Sequence, residues 1–199
     1  MLESVKRTLD LIGHPPLSDE SIGALIAQGL SLPDTFRSTA PEATSQLISR
    51  CVDLYRRIYR DLEQDHTVIF EGVQSTLEDI ATAGVKMAVV SNKGTAAVTR
   101  SLQRFGIERW IDHVFGAEEG VPTKPDPCLY DLRVQPAYPD MLKSAFLMVG
   151  DTAADLLFAK SIGIASCWAS YGFGDPTSCR QLNPNFTIQS FPELASIVA

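Results

Sequence analysis

Histidine is scarce: only His14, His66 and His113 occur in 199 residues, and none lies at ligand spacing from another. A metal centre built on paired histidines is not expected. The four cysteines, Cys51, Cys128, Cys167 and Cys179, show no C-x-x-C spacing. Three of them lie in or beside apolar segments, which fits core thiols in a reducing compartment better than disulfides or zinc ligands. No apolar run approaches the roughly 20 residues that span a bilayer, and no secretory apolar region opens the chain. Positive charge is also short. Lys and Arg total 17 against 24 Asp and Glu, a net charge of −7. General affinity for nucleic acid or acidic membrane surfaces is therefore not expected. An anionic substrate would have to be met locally, by a lysine or a metal. No internal repeat or low-complexity segment is present. These absences together lead to the expectation of a soluble, cytoplasmic protein.

What is present is enough apolar residue, 45% of the chain, for one sizeable core or a core domain with a small second one. Residues 1–66 read as helical. Val5, Leu9 and Ile12 share a stripe that Gly13-His14-Pro15-Pro16 ends. Ser18 caps a helix carrying Ile22, Leu25, Ile26 and Leu30, and Pro33 interrupts. A longer helix is predicted over about 41–62, with Leu47, Cys51, Leu54, Tyr55, Ile58 and Leu62 at helical spacing. The pattern changes near Thr67. Helices are predicted over 73–83, 95–105, 152–162 and 191–198, and another is open over 126–133. Strands are predicted over 85–90, within 110–115, and over 146–149, 164–169 and 186–188. Strands alternating with helices argue for a parallel sheet covered on both faces. The expected architecture is a helical insert, 1–66, followed by an α/β domain, 67–199.

Three stretches of the α/β part carry polar residues of a specific kind. Val89-Val90-Ser91-Asn92-Lys93-Gly94 ends a strand with a hydroxyl and an amide before a helix. It reads either as an anion site using free helix N–H groups or as an ordinary capping turn. Thr123-Lys124-Pro125-Asp126-Pro127 stiffens a loop around one lysine. Lys124 is then either a cation held ready for a phosphate or a solvated surface lysine. Met148-Val149-Gly150-Asp151-Thr152-Ala153-Ala154-Asp155 ends a strand, turns at glycine, and places two acids four residues apart on one helix face. Asp151 and Asp155 are either a hard-oxygen site suited to Mg²⁺ or acids complementing a helix dipole.

In that order, these three stretches resemble the haloacid dehalogenase-like (HAD) superfamily of hydrolases, and within it the phosphoglycolate phosphatase-like branch. The resemblance covers nearly the whole chain and implies a three-layer Rossmann-like core with a helical cap. It implies that residues 1–66 are the cap, with Phe70-Glu71-Gly72-Val73 the return to the core. It also implies that Ser91, with Asn92 assisting, and Lys124 bind the phosphoryl group, and that Asp151 and Asp155 hold Mg²⁺. Tyr171-Gly172-Phe173-Gly174 is similar to the loop after the next strand. The implied substrate is a small phosphorylated metabolite, attacked in a cleft that the cap closes and reopens. Arg37 of the helical part reads either as a substrate contact or as a salt-bridged surface residue.

One element of the resemblance is missing. The family's first motif is a strand ending in Asp-x-Asp-x-Thr, whose first Asp attacks phosphorus. No Asp-x-Asp occurs in this sequence. Met1-Leu2-Glu3-Ser4-Val5 is similar to the region just after that motif, so the expectation is a truncated N-terminus. The alternative is a non-catalytic phosphate- or protein-binding module of the same fold. Covalent catalysis needs its nucleophile, so the chain as written is expected to have little or no activity and to bind Mg²⁺ weakly. The missing strand would be the centre of the sheet. Several large apolar side chains at ~1.5–3 kcal/mol each would contribute on the order of 10 kcal/mol, as much as the whole net stability of a typical domain, about 5–15 kcal/mol. Its loss should leave a slot in the sheet or force its neighbours together, with self-association through the incomplete edge.

Overall fold

The computed structural model describes residues 1–198, apart from the side chains of Gln64 and Asp65. The chain divides into two compact units, Met1–Val68 and Ile69–Ala199.

The first unit is all helix: α1 (Leu2–Leu11), α2 (Asp19–Ala27), α3 (Leu32–Thr39) and α4 (Ser45–His66). Each of the last three begins on a hydroxyl cap. Ser18, Ser31 and Thr44 accept the N–H of Ser21, Asp34 and Leu47, satisfying donors that a helix start leaves free. Pro33 does not interrupt a helix. It sits in the first turn of α3, where a missing N–H costs nothing. The long helix starts at Ser45 instead of about 41, because Thr44 supplies the cap. Val5, Leu9, Ile22, Phe36, Ile48, Cys51, Val52 and Tyr55 form the buried core. Arg37 pairs with Asp34 at 2.7 Å on the surface of α3.

The second unit alternates strand and helix. Its elements are α5 (Val73–Thr82), β1 (Ala88–Gly94), α6 (Thr95–Arg104), β2 (His113–Ala117), α7 (Gln135–Ala137), β3 (Leu147–Gly150), α8 (Ala153–Ile162), β4 (Ala165–Ala169), α9 (Pro176–Gln181), β5 (Phe186–Ile188) and α10 (Ala195–Val198). Gly84 and Gly163 end α5 and α8 in the left-handed conformation, with φ of 79° and 75°, which glycine adopts without a Cβ clash.

Three elements depart from expectation. The strand predicted over 85–90 begins at Ala88 and runs on to Gly94. Residues 85–87 are taken up elsewhere: Val85 N–H bonds Ile80 O, and Met87 N–H bonds Asp112 Oδ2. The helix after the lysine loop widens into a π turn over Tyr130–Val134 before α7. Pro136 has no N–H to give the carbonyl four residues back. Helix α9 was not foreseen, although Asp175-Pro176 is a cap and first-turn pair; Asp175 Oδ2 accepts the N–H of Ser178 at 2.7 Å.

Among the described residues all strand pairs are parallel, and they form two sheets, β1–β2 and β3–β4–β5. Among the described residues no pair joins β1 to β3. Both strands are nevertheless in one layer of the core. Val90 and Met148 pack on the cluster of Phe115, Tyr130 and Phe158, while Met87, Leu147 and Val149 pack on that of Ile80, Cys167 and Ile188. The sheet is split at its middle. Burial follows the split: β3 is half-buried throughout, while β4 is buried from Ser166 to Ala169.

Candidate active site

Lys124 stands at the split. Its Nζ donates to Val90 O of β1 at 2.6 Å and to Asp155 Oδ1 of α8 at 2.5 Å. Both charged side chains are 8% exposed. The loop that delivers Lys124 is fastened by Asn92. Its side-chain amide donates to Lys124 O at 2.8 Å, and its Oδ1 accepts Lys124 N–H at 2.8 Å. The Lys124–Pro125 peptide is cis. Asn92 thus spends both faces of its amide on positioning the lysine backbone, a use its sequence neighbours do not reveal.

Ser91 lies within β1, which continues to Gly94, so it is not at the start of α6. Its Oγ accepts Lys93 N–H at 3.1 Å, leaving the hydroxyl proton for another acceptor. Lys93 Nζ donates to Ser101 Oγ.

Asp155 serves two structures at once. Its Oδ2 accepts the N–H and the Oγ1–H of Thr152 at 2.9 and 2.7 Å, which caps α8. Its Oδ1 takes Lys124. Burial pushes this carboxyl up, but the Lys124 charge and the hydrogen bonds from Lys124 and Thr152 outweigh it and hold the group below the usual range. Gly150 is glycine for lack of space, not for a turn: a Cβ there would come within 2.3 Å of Asp155 Cβ.

Asp151 follows β3 and is half-buried. Its Oδ2 accepts the N–H of Phe173 at 2.8 Å, and its carbonyl accepts Trp168 Nε1–H at 3.3 Å. The loop after β4 wraps it closely. A Cβ on Gly172 would lie 2.2 Å from Asp151 Cβ, and one on Gly174 1.9 Å from Asp151 O. Burial, and then the charge of Asp151, push the Tyr171 hydroxyl up to about 12. Oδ1 of Asp151 has no protein partner among the described residues.

These groups fit a divalent cation poorly. Mg²⁺ demands near-octahedral oxygen ligation. Asp151 offers one uncommitted oxygen, and both oxygens of Asp155 are taken. Among the described residues no group of three or more His, Cys, Asp or Glu is placed to hold a metal. The described cysteines are all free, with Cys51, Cys167 and Cys179 buried and Cys128 exposed. Among the described residues, no helix is long and apolar enough to cross a membrane.

The fold is thus a parallel α/β core in which Asp151 follows β3 and a loop lysine, Lys124, reaches Val90 of β1 and Asp155 of α8. Residues 1–169 match the haloacid dehalogenase-like hydrolase family, and the chain belongs to it. It is 30% identical to the phosphoglycolate phosphatase of Vibrio parahaemolyticus, over 97% of this chain and 86% of that protein. It is 26% identical to the pyrophosphatase PpaX of Halalkalibacterium halodurans, over 85% of this chain and 76% of that protein. Among solved structures, a predicted phosphoglycolate phosphatase from Haemophilus somnus superposes with a TM-score of 0.83 at 22% identity, covering 100% of this chain and 90% of that one. A hydrolase from Pseudomonas syringae gives 0.83 at 18% identity, covering 98% and 88%. These structural likenesses establish the fold, a Rossmann-like α/β core with parallel strands.

Proposed function

We propose that the site around Lys124 recognises the phosphoryl group of a small organic phosphomonoester of the phosphoglycolate kind, and that the protein's chemistry is that of a phosphatase. The observation that carries this reading is the state of Lys124. It is a buried ammonium at the strand ends, with two N–H groups committed and a third without a partner among the described residues. An ammonium so placed neutralises phosphoryl charge in the ground and transition states. The hydroxyl proton of Ser91, one residue beyond the Val90 acceptor, gives a second donor. Asp155 fixes the lysine and the start of α8. The names of the relatives support the substrate class.

The helical unit, Met1–Val68, is the cap domain of this reading. Mg²⁺ belongs to the chemistry of the family, and Asp151 Oδ1 is the oxygen this chain would lend it. The single free oxygen implies weak binding, and no step is assigned to the metal. No Asp-x-Asp supplies a nucleophile in this sequence, so the polypeptide as given turns over little or nothing. The engagement of both Asp155 oxygens favours a second reading, a phosphate-binding module without turnover.

Isothermal titration with inorganic phosphate tests the recognition step. Binding that weakens at least about tenfold in Lys124→Met, the loss of one charge-assisted contact, is expected. No binding heat, or equal binding by the variant, would contradict it.

A further inference from the structure

We propose that Phe70 and Phe173 form an apolar shelf beside the phosphoryl site, and that the shelf selects phosphomonoesters whose alcohol part is apolar next to the ester oxygen. The inference rests on the phosphoryl reading of Lys124 and adds the part of the ester that Lys124 does not reach.

Nine phenylalanines occur in the chain. Among the described residues three are exposed, Phe70, Phe173 and Phe186. Two of the three meet at one loop. Phe173 is 75% exposed and Phe70 45%. The Phe70 ring meets the Tyr171 ring edge-on, with centroids 5.0 Å apart. Phe173 follows Tyr171 by two residues, and its N–H donates to Asp151 Oδ2 at 2.8 Å.

The backbone beneath these rings is fixed. Tyr171 packs on the cluster of Ile80, Cys167 and Ile188. Ser170 N–H bonds Ile188 O, and Gly172 N–H bonds Ala169 O. Gly72, two residues after Phe70, is left-handed with a φ of 75°, and a Cβ there would come within 2.5 Å of Pro192 Cγ. Two phenyl groups are thus presented to water by segments with little freedom to withdraw them. In water they forgo the burial that drives such side chains inside. Exposed apolar surface gathered at one place marks a binding surface.

Position gives the occupant. Asp151 precedes Thr152, whose N–H and Oγ1–H bond Asp155 Oδ2. Asp155 Oδ1 takes Lys124. The first turn of α8 therefore joins the lysine to the Phe173 loop. A phosphoryl group on Lys124 lies about one helix turn from the shelf, within reach of an ester substituent. Small-molecule sites are built this way, with a few polar groups fixing orientation and aromatic side chains covering the rest. Phenyl rings pair well with another ring, offset or edge-on, so an aryl group is the most sensitive probe.

Isothermal titration of the full chain with phenylphosphonate and methylphosphonate tests the proposal. Neither has an ester bond to break, so turnover does not enter. Phenylphosphonate should bind about tenfold tighter, the scale of roughly 55 Å² of apolar surface leaving water. In Phe173→Ala the ratio of the two affinities should fall to within about twofold of unity. Phe173→Leu, which keeps apolar surface, should retain most of the ratio. In Lys124→Met both phosphonates should weaken together. Equal binding of the two by the parent chain, or an unchanged ratio in Phe173→Ala, would overturn the shelf and leave the phosphoryl reading standing. Phenylphosphonate binding indifferent to Lys124→Met would place the ring elsewhere and overturn the shelf also. No binding of either phosphonate or of inorganic phosphate would overturn the phosphoryl reading, and the shelf with it.

Discussion

Lys124 and Asp155 form a buried ion pair with Nζ 2.5 Å from Oδ1, and the same Nζ reaches Val90 O at 2.6 Å. One side chain thus ties the end of one sheet to the helix that follows a strand of the other. Where backbone pairing stops, a lysine continues the connection.

Replacing that lysine should cost more than the pair contributes. Lys124→Met leaves Asp155 buried and unpaired, and breaking a buried pair from one side costs about 3–5 kcal/mol. Urea unfolding of the second unit should show a loss of this size. A loss within the ~0.5 kcal/mol of an ordinary surface substitution would mean that the pair does not form.

The pH dependence follows from Asp155. Its folded-state carboxyl lies below its ordinary value of 3.8. A depressed acid contributes stability above its unfolded value, and that contribution is lost as pH falls through the folded value. Stability should therefore be flat in this respect near neutrality and decline below about pH 4. Asp155→Asn should be less stable at pH 6, and its deficit should shrink by pH 3. A constant deficit across that range would contradict the assignment.

Gly172 should be intolerant of alanine. Its backbone is not left-handed, so the obstacle is Asp151 Cβ, 2.2 Å from a built Cβ. Gly172→Ala should cost about 1–3 kcal/mol as overpacking and displace the Asp151 carboxylate from Phe173 N–H. Gly163→Ala meets no atom within 4 Å but carries a φ of 75°, and should cost about 1 kcal/mol from backbone strain. Thermal unfolding of the two variants side by side checks the order.

Asn92 should behave as a positioning residue. Asn92→Ala removes two hydrogen bonds to the Lys124 backbone, about 1–3 kcal/mol together. Phosphate binding should weaken with it, since the lysine loop loses its anchor. Binding unchanged at equal folded fraction would show that the loop holds itself.

Much of this was legible in the sequence. Asp151 directly follows β3, Asp155 lies in the first turn of α8, Ser91 lies inside β1, and Lys124 reaches Val90 O and Asp155 from a loop. The alternation of apolar strands with helices sufficed for the parallel architecture, because buried parallel strands are short continuous apolar runs. The rest depended on long-range partners. Asn92 looked like a ligand donor, yet its amide is consumed 32 residues away on Lys124. Asp155 looked like a metal ligand, and its oxygens are taken by Thr152 and Lys124. Gly150 looked like a turn residue, and its reason is Asp155 Cβ. Of the two readings offered for the Asp151–Asp155 stretch, the helix-start one describes Asp155, which closes a capping box with Thr152. The end of β1 was missed because strand pairing past Val90 is irregular, with Gly94 opposite Ala117.

Phosphate release from phosphoglycolate, measured with Mg²⁺ for the 199-residue chain beside its Asp151→Ala variant, tests most directly whether a chain without Asp-x-Asp turns over. Release indistinguishable from the blank for both proteins is expected. Steady release by the parent chain that disappears in Asp151→Ala would contradict it.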